Sequence, residues 1–207
     1  MTSRPLHRFM LGVLIFFPLT FFIWYLTARF HLAPVALISE QIIHFVVPDA
    51  LLWLKLDHYT LVVASNFGPD MSGNIVSPPQ NNDLLGFHLN PLIYCYSLPL
   101  LMALILATPG EDKWLNLIWG ILLIMPTEVF SMVFSVLKVL TFDVGAAFQV
   151  QQAITPLGAD MIAFAYQMGN LVLPMVAPLV IWMLLHRKFI VELAPQLEQV
   201  FAHSARS

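Results

Sequence analysis

Charge and cysteine are both scarce in this sequence. Of 207 residues, 9 are Lys or Arg and 12 are Asp or Glu, 10% of the chain, against roughly 25% in an ordinary soluble domain. A net charge of −3 with no basic cluster argues against nucleic acid as a partner. The lone Cys95 excludes an internal disulfide and any multi-cysteine metal site within one chain, so redox compartment is not legible from cysteine usage. The seven histidines include no HxxxH or HExxH spacing, so a metal site would have to be assembled purely in three dimensions. Neither a metal nor a cofactor is expected. No internal repeat of a transporter kind is visible, and four spans are few for an inverted-repeat carrier.

What the chain has instead is hydrophobicity, 59% of residues, with a mean hydropathy of +0.80. It reads as an integral membrane protein. Its organising stretch is residues 90–110, NPLIYCYSLPLLMALILATPG, which opens on an Asn-Pro turn signal and stops at Thr108-Pro109-Gly110. The apolar core, residues 91–107, is 17 residues, about 26 Å as a helix, enough to cross the hydrocarbon with little left for tilt.

Residues 9–28 are 20 uncharged positions between Arg8 and Arg29. Their length and the terminal Trp24-Tyr25-Leu26 aromatic belt favour a retained anchor over a cleaved signal peptide. Between Arg29 and Asn90 lie four of the seven histidines and five of the twelve acids, so this interval reads as an extramembrane module. Within it, residues 34–47 place Ile38, Ile42, Phe45 and Val46 on one helical face with Glu40, Gln41 and His44 on the other. After Pro48-Asp49, residues 50–54 continue this interfacial helix with Trp53. Tyr59, Thr60, Val62 and Val63 are strand formers, residues 75–76 form a possible short strand between turns, and Leu85, Phe87 and Leu89 alternate as a half-buried strand. The run 78–83, with Asn81 and Asn82, is an exposed loop. Glu111-Asp112-Lys113 is a polar hairpin, residues 114–137 a third span, 138–160 a polar loop on the far side, and 161–185 a fourth span closed by His186-Arg187-Lys188.

The expected fold is therefore an all-α membrane protein of four transmembrane helices with a small α+β extramembrane insertion between helices 1 and 2. Its parts are 1–28 (tail and first helix), 29–90 (periplasmic module), 91–186 (helices 2–4) and 187–207 (cytoplasmic tail with Pro195 and Glu198). With both termini inside, Arg4, Arg8, Lys113, Arg187, Lys188 and Arg206 are cytoplasmic, six basic residues against three outside, Arg29, Lys55 and Lys138.

Glu128 is the one acid inside a span, and an ionisable group there costs about 2.5–3.5 kcal/mol on insertion scales. Helical spacing puts Glu128, Ser131 and Ser135 on one face. Glu128 lies about 15 Å from the outer end of its span and Tyr166, Gln167 and Asn170 roughly 9–15 Å from theirs, so these groups can meet. Such a polar bundle cluster is either a pocket or, more commonly, a hydrogen-bonded strut between helices. Cys95, one turn inside the second span, has His58, His88 and Arg29 as conceivable outer-face partners, but a lone cysteine in a membrane helix is usually a small apolar filler. His31 and His44 share the outer side without a ligand spacing. Pro18, Pro99, Pro126, Pro174 and Pro178 invite kinks in every span.

Asn90-Pro91-Leu92-Ile93-Tyr94, then Tyr96, Leu98-Pro99-Leu100 and Ala103-Leu104, together with Ala163, Tyr166-Gln167-Met168-Gly169, Leu173-Pro174 and Ala177-Pro178-Leu179, resemble the exosortase H-associated membrane protein family. The resemblance covers most of the chain. It implies a multi-pass inner-membrane protein of Gram-negative bacteria that accompanies an exosortase, the membrane transpeptidase that processes proteins bearing a C-terminal sorting signal. It implies no catalytic residues. Exosortases themselves carry a Cys, Arg, His order at the outer face, whereas here no outer arginine follows Cys95 and Arg29 precedes it. The expected function is a non-enzymatic accessory protein that binds the exosortase or its substrate, in contact with lipid. The alternative is a small membrane-embedded transpeptidase or hydrolase using Cys95 or Glu128. No nucleophile, base and orienting group stand at a recognisable spacing, which favours the first.

Overall fold

The computed structural model describes residues 3–80, 83–110 and 112–193. Asn81, Asn82, Glu111 and the tail with Pro195, Glu198 and Arg206 lie outside the described residues. Helices dominate: α1 (Ser3–Val46), α2 (Leu92–Cys95), α3 (Ser97–Ala107), α4 (Lys113–Val139), α5 (Ala146–Gln151), α6 (Pro156–Gln167), α7 (Leu173–Leu185) and α8 (Arg187–Leu193). Two π-helical turns, Leu140–Val144 and Met168–Val172, follow α4 and α6. Three stretches are long and apolar enough to cross a membrane: Leu6–Val46, Lys113–Val144 and Pro156–Leu185. The segment Leu92–Ala107 is a shorter apolar helix.

The chain divides into two compact units. One holds the residues up to Leu26, Tyr96–Ile124 and those from Met175 onward; the other holds Thr27–Cys95 and Met125–Pro174. In the first, small residues let helices approach closely, as they do where lipid supplies no hydrophobic drive for association. A Cβ on Gly12 would lie 3.1 Å from the Ala107 Cβ, and one on Gly120 would lie 3.0 Å from the Ile105 side chain. Polar side chains then bridge the helices. The Thr20 hydroxyl lies 2.9 Å from the Pro99 carbonyl, and Trp182 Nε1 donates to Thr108 Oγ1 at 2.8 Å. Phe9 stacks on Trp182 with centroids 5.0 Å apart.

In the second unit the strands β1 (Leu51–Asp57), β2 (Thr60–Ser65) and β5 (Gly86–Leu89) form an antiparallel sheet in the order β1-β2-β5, with Leu54 opposite Val63 and Val63 opposite Phe87. β3 (Gly68–Pro69) and β4 (Ile75–Val76) make a separate pair. The loop between them is tied by Asp70, whose Oδ1 accepts from the backbone N–H of Ser72 and Asn74, each at 2.8 Å. These backbone donors, Asn74 foremost, hold the exposed Asp70 carboxyl below its ordinary range. Gly68 is fixed by crowding: a Cβ there would lie 2.0 Å from the Asp83 carbonyl oxygen.

Three local expectations are corrected. The first span does not end before a separate amphipathic helix, because α1 runs unbroken for 44 residues. The reason is a buried stripe that keeps helical period past Arg29: Trp24, Ala28, Leu32, Val35, Ala36, Ser39 and Ile43. That burial outweighs the roughly 3 kcal/mol cost of one internal proline, here Pro34. Residues 50–54 do not continue the helix. Asp49 turns the chain at a φ of 63°, and Leu51–Asp57 instead pairs with β2. Glu40, on α1, anchors this strand by accepting from Leu54 N–H at 2.9 Å. The polar interval 138–160 is mostly helical as well. Its glutamines satisfy backbone carbonyls, Gln149 that of Thr141 at 2.8 Å and Gln152 that of Pro48 at 3.1 Å. Thr155 caps α6 by accepting from Gly158 N–H, with Pro156 in the first turn.

Candidate functional site

The most polar buried neighbourhood lies in the second unit and is built on α4. Glu128 is 1% exposed. Its Oε2 lies 2.5 Å from Nε2 of His31 on α1, whose side chain is 10% exposed. Each group thus has a polar partner, so neither is left to bear the full cost of burial alone. One turn along α4, the Ser131 hydroxyl lies 2.7 Å from the Gly169 carbonyl and 2.9 Å from that of Thr127. Glycine suits position 169, since a Cβ there would lie 3.0 Å from the Ser131 Cα, a tight approach. The carbonyl belongs to the second π-helical turn, and the wider turn leaves it open to an outside donor.

Ser135 Oγ donates to the Ser131 carbonyl at 2.8 Å and stands 3.4 Å from Nδ2 of the buried Asn170. Asn170 Oδ1 is buried without a hydrogen-bond partner. α2 packs on the same π-helical turn and brings in Tyr94, whose buried hydroxyl approaches Ser135 without an ordinary hydrogen bond. Cys95 follows it, 0% exposed. Asn90 starts this helix, its Oδ1 accepting from Leu92 N–H at 3.0 Å, and Pro91 and Pro99 are buried. Tyr96 and Tyr166 are half-buried.

The expected cluster of Glu128, Ser131, Tyr166, Gln167 and Asn170 is thus divided. Ser131 and Asn170 join one hydrogen-bonded chain through Ser135 and Gly169, whereas Gln167 is exposed. The partner of Glu128 was missed. His31 reads as one of several outer histidines until the period of Ala28, Leu32 and Val35 is followed past Arg29, which places it beside the buried stripe of α1. The other histidines of residues 29–90 go elsewhere: His44 is half-buried, and His58 and His88 are exposed. Among the described residues, no group of three or more His, Cys, Asp or Glu side chains is placed to hold a metal ion.

Residues 3–189 match the family model for exosortase H-associated membrane proteins. The chain belongs to that family. No curated protein matches the chain, and no solved structure does. In this exosortase H-associated protein the buried polar groups join the helices that carry them. The Ser131 hydroxyl is engaged by two carbonyls, and the Cys95 thiol is sealed from solvent, so neither is presented to a substrate in this conformation.

Replacing Glu128 separates hydrogen bonding from charge. Glu128→Leu strands His31 in a buried site and is expected to cost about 3–5 kcal/mol. Glu128→Gln keeps an acceptor for the imidazole and should cost about 1 kcal/mol. Thermal unfolding of the detergent-solubilised protein should show a much larger fall for Leu. Equal shifts would contradict the pairing.

Proposed function

We propose that this chain is a non-catalytic partner in an exosortase-type sorting system, binding either the exosortase or the C-terminal sorting signal of its substrate. The observation that carries the reading is the family match across residues 3–189. Burial of the sole thiol supports it, because a nucleophile must meet its carbonyl and Cys95 is fully enclosed. In this reading the protein is a multi-pass protein of the bacterial inner membrane with both termini cytoplasmic. Residues 29–90 form its periplasmic module, 91–186 its later spans and 187–207 its cytoplasmic tail. Leu92–Ala107 is its fourth crossing, a short one that the uncharged run 91–107 supports.

A cysteine transpeptidase is the competing reading, and one observation favours it: a paired imidazole and carboxylate, His31–Glu128, stand in the same unit as Cys95. It requires the thiol to be uncovered.

For topology, a periplasmic reporter fused at Pro79 should be active and one fused after Arg187 inactive; the reverse pattern overturns the orientation. For chemistry, Cys95→Ala should restore processing of sorting-signal proteins in a deletion strain as well as the unaltered chain does, while the purified protein alone cleaves no sorting-signal peptide. Loss of processing by a Cys95→Ala protein that accumulates normally would transfer the case to the enzyme reading.

A further inference from the structure

The last apolar span ends in a pocket that the sorting role does not use. It lies in the first unit, has a volume of about 380 Å³, and is lined by Pro109, Gly110, Asp112 and Asn116 on one side and by residues 184–189 on the other. Arg187 and Lys188 line it as exposed cations, with the half-buried Asn116 amide beside them. Among the described residues, Asp112 is its one acidic lining residue. Lys113 adds a third positive charge nearby, its Nζ held by the Leu106 carbonyl at 2.9 Å. Apart from His186, the remaining wall is apolar. Phe189 is buried beneath it, packed on Phe9 and Trp182, and Leu184 and Leu185 close a helix that carries no charge back to Met161.

His186 keeps this wall in register without adding charge. Burial, with a smaller push from Lys113, holds the imidazole below its usual range against the upward pull of the Trp182 carbonyl. The neutral ring donates from Nδ1 toward that carbonyl at 3.3 Å and accepts from Asn116 Nδ2 at 3.2 Å. The depth of the pocket is marked by Trp114, 80% exposed two residues before Asn116. An exposed tryptophan at the end of an apolar helix belongs at the level of the lipid headgroups.

We propose that this pocket binds the phosphodiester headgroup of an anionic glycerophospholipid, with Arg187 and Lys188 on the phosphate, the Asn116 amide beside it, and the acyl chains following the apolar surface of α7. Two cations beside a polar amide suit a phosphate. Their continuity with uncharged helix suits an amphiphile over a soluble anion. The inference is independent of whether the chain partners an exosortase.

The test is native mass spectrometry of the full-length protein in detergent, with equimolar phosphatidylglycerol and phosphatidylcholine of identical acyl chains. Phosphatidylglycerol should be retained in preference, and Arg187→Gln/Lys188→Gln should lower that preference by about thirtyfold, from two basic contacts. Lys55→Gln/Lys138→Gln, which removes the same charge from residues of the second unit that do not line the pocket, should leave it unchanged, and excess inorganic phosphate should not displace the lipid. Equal retention of the two lipids, equal losses in the two double variants, or displacement by inorganic phosphate would each overturn the proposal.

Discussion

A carboxylate buried in an apolar bundle has to be answered by a partner, and the second unit is built around how Glu128 is answered. Burying the group alone would cost several kcal/mol. His31 meets it at 2.5 Å, and His31 stands there because α1 continues as helix beyond Arg29. The same continuation carries Glu40 to the point where it accepts from β1. Helix and sheet are therefore linked through one element, with a polar contact at each step. Along α4 the pattern repeats with neutral groups: Ser131 reaches Gly169 and Ser135 faces Asn170. The first of these contacts is close-fitting, since a Cβ on Gly169 would crowd Ser131.

Much of this architecture was legible in the sequence because hydrophobic length and period are local signals. The third span, the strands around Val63 and Phe87, the short strand at Ile75 and the burial of Glu128 all follow from patterns a few residues wide. What escaped depends on tertiary competition. Arg29 and Pro34 look like a boundary, yet one exposed charge and one missing hydrogen bond do not outweigh a buried stripe from Trp24 to Ile43. Glutamines 149 and 152 look like solvated loop and instead satisfy carbonyls 8 and 104 positions away. The His31–Glu128 pair joins residues 97 positions apart, and no spacing rule within a single helix reaches that far.

A carboxylate and an imidazole in one buried pair invite a catalytic reading, but their surroundings are those of a strut. The nearby hydroxyl of Ser131 is engaged, the thiol of Cys95 is enclosed, and Gly169 and Asn170 close the helices over the cluster. Buried pairs of this kind fix which helix faces meet, a role in specificity of packing with little net gain in stability. The proposed non-catalytic role calls for such a fixed interior and for no reactive group within it.

The decisive measurement replaces the pair by apolar residues of similar size, His31→Leu together with Glu128→Met, and reads sorting-signal processing in a deletion strain. Because both charges leave together, no unpaired ion remains and the variant is expected to accumulate in the membrane. If the pair is structural, processing matches that of the unaltered chain. A variant that accumulates to the normal level and leaves the sorted proteins unprocessed would contradict the account, since the chemistry of these two groups would then be required.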